Sequence, residues 1–189
     1  QGIQQKGKEI RAFMPKFGSI NERRNQLHEV IRLSGMNLII DDSDHPLIIK
    51  VASIQPARMQ VYFIDNDEYF GRKYALKDKA NKFYADNDER AIFYCRGVLE
   101  TVKKLGWAPD IIHCHGWFSS LMPLYVKKLF AQDPHFADSK LVVSAYGNEF
   151  SGVFSKDVHK KVAFDGFESE DIAMLKKANH VNLLKTALQ

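Results

Sequence analysis

The sequence predicts an α/β fold in which a doubly wound, mostly parallel β-sheet carries helices on both faces, with a small antiparallel β excursion near its start. Three observations carry that expectation. From Lys8 to Tyr146 the apolar pattern runs strand, helix, strand, helix, strand, the order of a sheet built from crossover units. Between Leu27 and Asp65 the content of β-branched and apolar residues is high. With 45% hydrophobic and 26% charged residues over 189 positions, the chain can bury an ordinary core, which excludes disordered, collagenous and fibrous classes.

Gly2 to Lys6 reads as the tail of a helix, and Gly7 suits the left-handed position that follows a helix end. Lys8 to Met14 (KEIRAFM) then reads as a strand stopped by Pro15. Within the antiparallel excursion, Ser43-Asp44-His45-Pro46 is a turn signal separating LIID from LIIKVASI, and MQVYFID follows as another strand. The stretch NQLHEVIRLSG is ambiguous, because Leu27, Val30, Ile31 and Met36 fit helical spacing almost as well as a strand. Asp86-Asn87-Asp88-Glu89 predicts the start of the clearest helix, since an Asp cap with Glu three residues on can satisfy orphan amides reciprocally. Ile92, Cys95, Leu99 and Val102 recur on one face, and Gly106 ends the run.

Trp107-Ala108-Pro109 leads into a short strand, Asp110 to His115, and a second helix follows to about Phe130. Pro123 is tolerable there if Ser119 or Ser120 caps the helix and leaves the proline in its first turn. Leu141 to Tyr146 is the next strand, Gly147 to Gly166 reads as loop, and the C-terminus is helical, with Ile172, Leu175 and Ala178 and then Val181, Leu184 and Leu188 as apolar stripes. No repeat, low-complexity tract or linker interrupts the pattern, so residues 1–189 are expected to form a single domain.

Lys and Arg number 27 and Asp and Glu 23, giving a net charge of +4 that is spread along the chain, which argues against a nucleic-acid partner. Two cysteines, Cys95 and Cys114, cannot make a disulfide framework and point to a reducing, cytoplasmic address. No apolar window approaches about 18 uninterrupted residues, so no membrane span is expected.

In open α/β sheets ligands sit beyond the carboxyl ends of strands, which directs attention to the residues after Ile112 and after Ala145. His113-Cys114-His115-Gly116-Trp117 lies there, and alternation along a strand puts His113 and His115 on one face with Cys114 on the other. Two imidazoles without further ligands at metal spacing fit a hydrogen-bonding pair lining a substrate cleft better than a metal site, so no metal is expected. Asp65-Asn66-Asp67 and Asp86-Asn87-Asp88 have an acidic pattern able to hold a divalent cation, but closing a strand and capping a helix account for them more simply. Aromatic residues from Phe63 to Tyr69 and at Phe83 and Tyr84 fit packing more readily than sugar stacking. No glycine-rich phosphate loop and no G-x-S-x-G elbow occurs.

Four segments, FMPKFGSI (Phe13 to Ile20), VYFIDNDEYFGR (Val61 to Arg72), YADNDERAIFYCRG (Tyr84 to Gly97) and LGWAPDIIHCHGW (Leu105 to Trp117), resemble in order and spacing the N-terminal catalytic domain of bacterial glycogen synthases and plant starch synthases. The match runs from Lys8 to about Phe154. The resemblance implies one Rossmann-like half of a GT-B glycosyltransferase that transfers glucose from ADP-glucose to an α-1,4-glucan with retention. It also implies a nucleotide sugar as substrate, no other cofactor, and a C-terminal donor-binding domain or partner chain holding the cations that neutralise the departing diphosphate. On this likeness the family's first strand and Lys-x-Gly-Gly loop are absent from the start.

By the same resemblance, His113, His115, Trp117, Tyr146, Asp86, Asn87 and Arg90 are the substrate-binding positions, with Asp86 and its neighbours at a helix start bordering the cleft. Two positions depart from the family: Gly116 stands where an HCHDW-type loop carries an acid, and Tyr146 where a His contacts the sugar. The residues carrying catalysis are therefore unassigned. A stand-alone α-glucan-binding or regulatory module is the alternative expectation, and a metal-dependent hydrolase using His113 and His115 a remote one.

Overall fold

A computed structural model describes residues 2–57, 59–146 and 154–188. Its contacts group into two compact units, residues 1–37 with 45–75 and residues 38–44 with 76–189.

In the first unit a short helix α1 (Gly2–Gln5) ends at Gly7, whose φ of 73° is the left-handed conformation expected there. Strand β1 (Arg11–Pro15) follows, then β2 (His28–Glu29), β3 (Met36–Ile40), whose residues 38–40 fall in the second unit, β4 (Ser43–Ile54), whose residues 43–44 do too, and β5 (Met59–Asp65). The sheet order is β1-β5-β4-β2. Strands β1 and β5 are parallel, and Phe13 stacks on its register partner Tyr62 with ring centroids 5.2 Å apart. Strands β5, β4 and β2 pair antiparallel, which is the excursion expected between Leu27 and Asp65, and it makes this sheet mixed rather than mostly parallel. The reason is local: tight turns can join antiparallel strands, whereas parallel ones need long crossovers. On β4, His45, Leu47, Ile49 and Val51 alternate inward and are buried.

The turn expected at Ser43–Pro46 lies instead at Asp41, whose φ of 59° an aspartate tolerates, and Ser43–Pro46 belong to β4. The ambiguous NQLHEVIRLSG resolves as the two-residue β2 followed by a turn. Helix α2 (Asp67–Phe70) is capped by Asn66, whose side-chain oxygen accepts from the Tyr69 amide at 3.1 Å.

The second unit is organised by α3 (Asn87–Lys104) and the parallel pair β6 (Ile111–His115) and β7 (Lys140–Ser144). The predicted stripe of Ile92, Cys95, Leu99 and Val102 is buried, together with Ala91, Phe93 and Val98, so α3 is enclosed on most of its circumference. Gly106 ends it at φ 61°. Acidic Asp88 and Glu89 in the first turn and Lys103 and Lys104 in the last complement the helix dipole. The capping box does not form: Asp86 is the N-cap at φ −98° and ψ 18°, away from the extended geometry, and its side chain makes no cap hydrogen bond.

The expected second helix is broken into a 3-10 turn (Trp117–Ser119), α4 (Met122–Leu124) and a π turn (Tyr125–Leu129). Its caps differ from expectation, because the hydroxyls of Ser119 and Ser120 donate back to carbonyls, Ser119 to His115 at 2.9 Å and Ser120 to Trp117 at 2.6 Å. Leu121 is the N-cap, and Pro123 sits in the first turn as predicted.

Within the segment expected to be loop, residues 147–153 lie outside the described residues, and α5 (Val158–Ala163) forms because Val158 and Val162, four apart, are both wholly buried. A 3-10 turn (Ala173–Lys177) and α6 (His180–Leu188) close the chain. Ile172 and Leu175 are buried as expected, whereas α6 buries Leu183, Thr186 and Ala187 and leaves Val181 and Leu188 exposed. The buried set keeps the three-to-four spacing of a helix but is rotated from the predicted one. Among the described residues no helix is long and apolar enough to cross a membrane.

Candidate functional site

The carboxyl ends of β6 and β7 carry a compact polar group. Alternation turns Cys114 inward, where it is buried, and leaves His113 and His115 on the exposed face with ring centroids 4.0 Å apart. In the parallel register His113 lies opposite Val142 and His115 opposite Ser144. Each imidazole reaches two residues further along β7 than its register partner. His113 Nε2 is 2.8 Å from Ser144 Oγ, and His115 Nδ1 is 2.8 Å from the Tyr146 hydroxyl. Tyr146 is 51% exposed, so the phenol stands at an open surface.

Two cavities in this unit, of about 390 and 450 Å³, are lined by none of these four side chains. Among the described residues the group forms an exposed shelf at the strand tips. Ser144 is the member that sequence reasoning missed. The signal was present, because Ser144 and Tyr146 alternate onto the same side of their strand as the two histidines do on theirs.

Gly116 takes the chain off β6 at φ 70° and ψ 179°, a region essentially reserved for glycine. The next residue, Trp117, is only 9% exposed. Its ring stacks on Phe118 at 4.1 Å and meets Phe154 edge to face at 5.5 Å, so it packs and offers no free face for a sugar.

The helix-start residues fall in a different place from the shelf. Asp86 is half-buried, and Asn87 and Arg90 are wholly buried. Asn87 donates its side-chain amide to the Leu76 carbonyl at 3.1 Å and accepts from Arg90 Nη1 at 2.6 Å. The Arg90 guanidinium lies over the rings of Tyr84 at 5.2 Å and Phe118 at 5.5 Å. These two side chains thus brace the loop before α3 and the aromatic layer beside Trp117. The alignment that places Tyr146 at the family's His rests on Gly152 to Phe154, of which Gly152 and Val153 lie outside the described residues.

The other acidic candidate also has a structural occupation. In the first unit, Asp65 Oδ2 is 2.8 Å from Lys50 Nζ, and Lys50 also contacts Glu22. Hydrogen bonds from Lys16 and Lys50 hold the Glu22 carboxyl below its ordinary value. Phe63, Tyr69 and Phe70 are core residues, and Lys77 covers Phe83 at 4.5 Å. Among the described residues no group of three or more His, Cys, Asp or Glu is arranged to hold a metal ion.

Comparison with known proteins places this geometry in context. The sequence profile of the starch synthase catalytic domain matches residues 1–189. A glycogen synthase of Chlorobium limicola is 36% identical over 190 residues, covering 100% of this chain and 38% of its own length. One from Chlorobaculum tepidum is 36% identical over 191 residues with the same coverage. The chain therefore spans about 38% of the length of these relatives. Among solved structures, the catalytic domain of starch synthase IV from Arabidopsis thaliana, bound to ADP and acarbose, superposes with a TM-score of 0.62 at 20% identity. It covers 75% of this chain and 27% of that one, a likeness of fold.

Proposed function

Because the chain belongs to the starch synthase catalytic-domain family, we propose that it forms the glucan-facing part of a glucosyltransferase that moves glucose from ADP-glucose to an α-1,4-glucan with retention. The observation that carries this reading is the hydrogen-bonded pair of His115 and Tyr146 at the carboxyl tips of two adjacent parallel strands, the position at which open α/β sheets take ligands.

The chemistry available there suits a neutral polyol. Each imidazole uses one nitrogen on its β7 partner, His113 on Ser144 and His115 on Tyr146, and has a second nitrogen for a ligand. A neutral imidazole donates at one nitrogen and accepts at the other, and a sugar hydroxyl does both, so the shelf can orient a glucosyl unit in either tautomer. Such bonds position an acceptor without charging it. The departing diphosphate requires cations aimed at its oxygens in a dry site. Tyr146 cannot supply one, because a phenol is neutral or anionic and never cationic. In this proposal those cations come from a donor-binding domain or partner chain.

Calorimetric titration of the 189-residue chain with maltoheptaose and, separately, with ADP-glucose tests the division of labour. Saturable heat with the glucan and no ADP release from the donor are expected. Turnover of ADP-glucose by this chain alone, or no binding of any α-1,4-glucan, would contradict it.

A further inference from the structure

Residues 154–167 run along α3 as a strap fastened at both ends. At the near end Lys161 Nζ lies 3.1 Å from Asp88 Oδ1 and 2.5 Å from Glu89 Oε1, and Ser155 Oγ donates to the other Asp88 oxygen. The Asp88 side chain is 0% exposed and that of Lys161 15%, so this clamp is largely removed from water. At the far end Arg96 Nη1 is 2.7 Å from Asp165 Oδ1, and the Tyr125 hydroxyl donates to Asp165 Oδ2. Asp88 and Arg96 stand about two turns apart on α3 and so share a side of the helix. Val158, between Ser155 and Lys161, and Val162, just after Lys161, are wholly buried. The strap begins with Phe154, whose ring is the edge-to-face partner of Trp117.

Trp117 opens the 3-10 turn directly after the strand that carries the two histidines, and Ser119 of that turn donates to the His115 carbonyl at 2.9 Å. We propose that Lys161 is a positioning residue for this site: by clamping the strap to Asp88 and Glu89 it seats Phe154 on Trp117, and through that ring contact it fixes the turn that backs His115. The glucan role of the shelf comes from the function proposed above; the clamp itself stands on contacts within the fold. Burial alone would lower the Lys161 amine, yet its contacts with Glu89 and Asp88 outweigh burial and raise it, so the clamp carries its charge at neutral pH. The ammonium touches no part of the shelf. Phe154 links the strap to Trp117, which gives the effect an optical signature.

The chain has two tryptophans, so a Trp107→Phe background leaves Trp117 as the only indole. In that background Lys161→Met keeps the apolar stem and removes the charge. It is expected to red-shift Trp117 emission, raise its quenching by acrylamide, and weaken maltoheptaose binding about fivefold, with far-UV dichroism unchanged. Lys161→Arg is expected to restore all three. Phe154→Leu, which leaves the clamp charges in place, is expected to reproduce the Lys161→Met optical and binding changes, and it serves as the test should Lys161→Met fail to fold. Unchanged Trp117 emission in either Lys161→Met or Phe154→Leu, or no restoration by Arg, would overturn the positioning role. If the parent chain binds no maltoheptaose but Trp117 emission still responds to Lys161→Met and recovers with Arg, the positioning role stands and the glucan reading falls.

Discussion

At the scale of single residues, the shelf is an arrangement of neutral hydrogen bonds, and its energetics should be correspondingly modest. Replacing His115 by Ala removes one ligand bond and the Tyr146 contact, a loss of about 1 kcal/mol or roughly a fivefold weaker maltoheptaose Kd by calorimetry. An unchanged Kd would place the glucan elsewhere. The facing of His113 and His115 was legible in the sequence because strand alternation fixes it. The burial of Asn87 and Arg90 was not, since a motif shows which residues occur at a helix start and says nothing of which face the rest of the fold covers. The two thiols make a second test at this scale. Burial pushes the Cys114 thiol up to about 12, and burial likewise raises Cys95, so neither is a thiolate at neutral pH. Iodoacetamide at about pH 8 should leave both unmodified in the native protein and label both in guanidinium, as read by mass spectrometry. Labelling of either thiol in the native state would contradict their placement.

At the scale of elements, the junction between β6 and the 3-10 turn is the feature most dependent on one residue. Space around Gly116 is open to a Cβ, so the barrier to substitution is its backbone conformation alone. Gly116→Asp, which restores the acid of the HCHDW-type loop, should destabilise the chain by about 1–3 kcal/mol in urea unfolding at unchanged m-value. A neutral or stabilising result would show that the turn readily takes another path. Helix α3 is the opposite case, held by burial along its length: Phe93→Ala should cost about 3–5 kcal/mol in the same measurement. The helix was legible because eighteen residues give several repeats of its apolar stripe. The six-residue α5 was not, because Val158 and Val162 give a single repeat, and the buried side of α6 was misassigned because its turns contain more apolar residues than the core accommodates.

At the scale of the whole molecule, the α/β class and the order of strands followed from the alternation of periods. The antiparallel pairing between Leu27 and Asp65 was legible as well, whereas its share of the first sheet was not, because apolar alternation marks a strand without marking its direction. Buried protons also give the fold a pH signature. Burial raises Cys114, Cys95 and Tyr125 above their ordinary values, so from about pH 9 the unfolded chain releases protons that the native state retains. Stability contributed by these groups is complete below that pH and is lost as pH rises toward about 12, the native value of Cys114. The melting temperature should fall progressively above about pH 9, and less steeply in Cys114→Ala; a flat profile to about pH 10.5 would contradict this burial.

The most direct test of the shelf as a glucan site is a titration with maltoheptaose followed through the side-chain nitrogen resonances of the seven histidines. The rings of His113 and His115 should shift together and saturate along one binding curve while the other five stay in place. Saturation reported by other residues with these two rings unmoved, or no saturating change at all, would contradict the assignment.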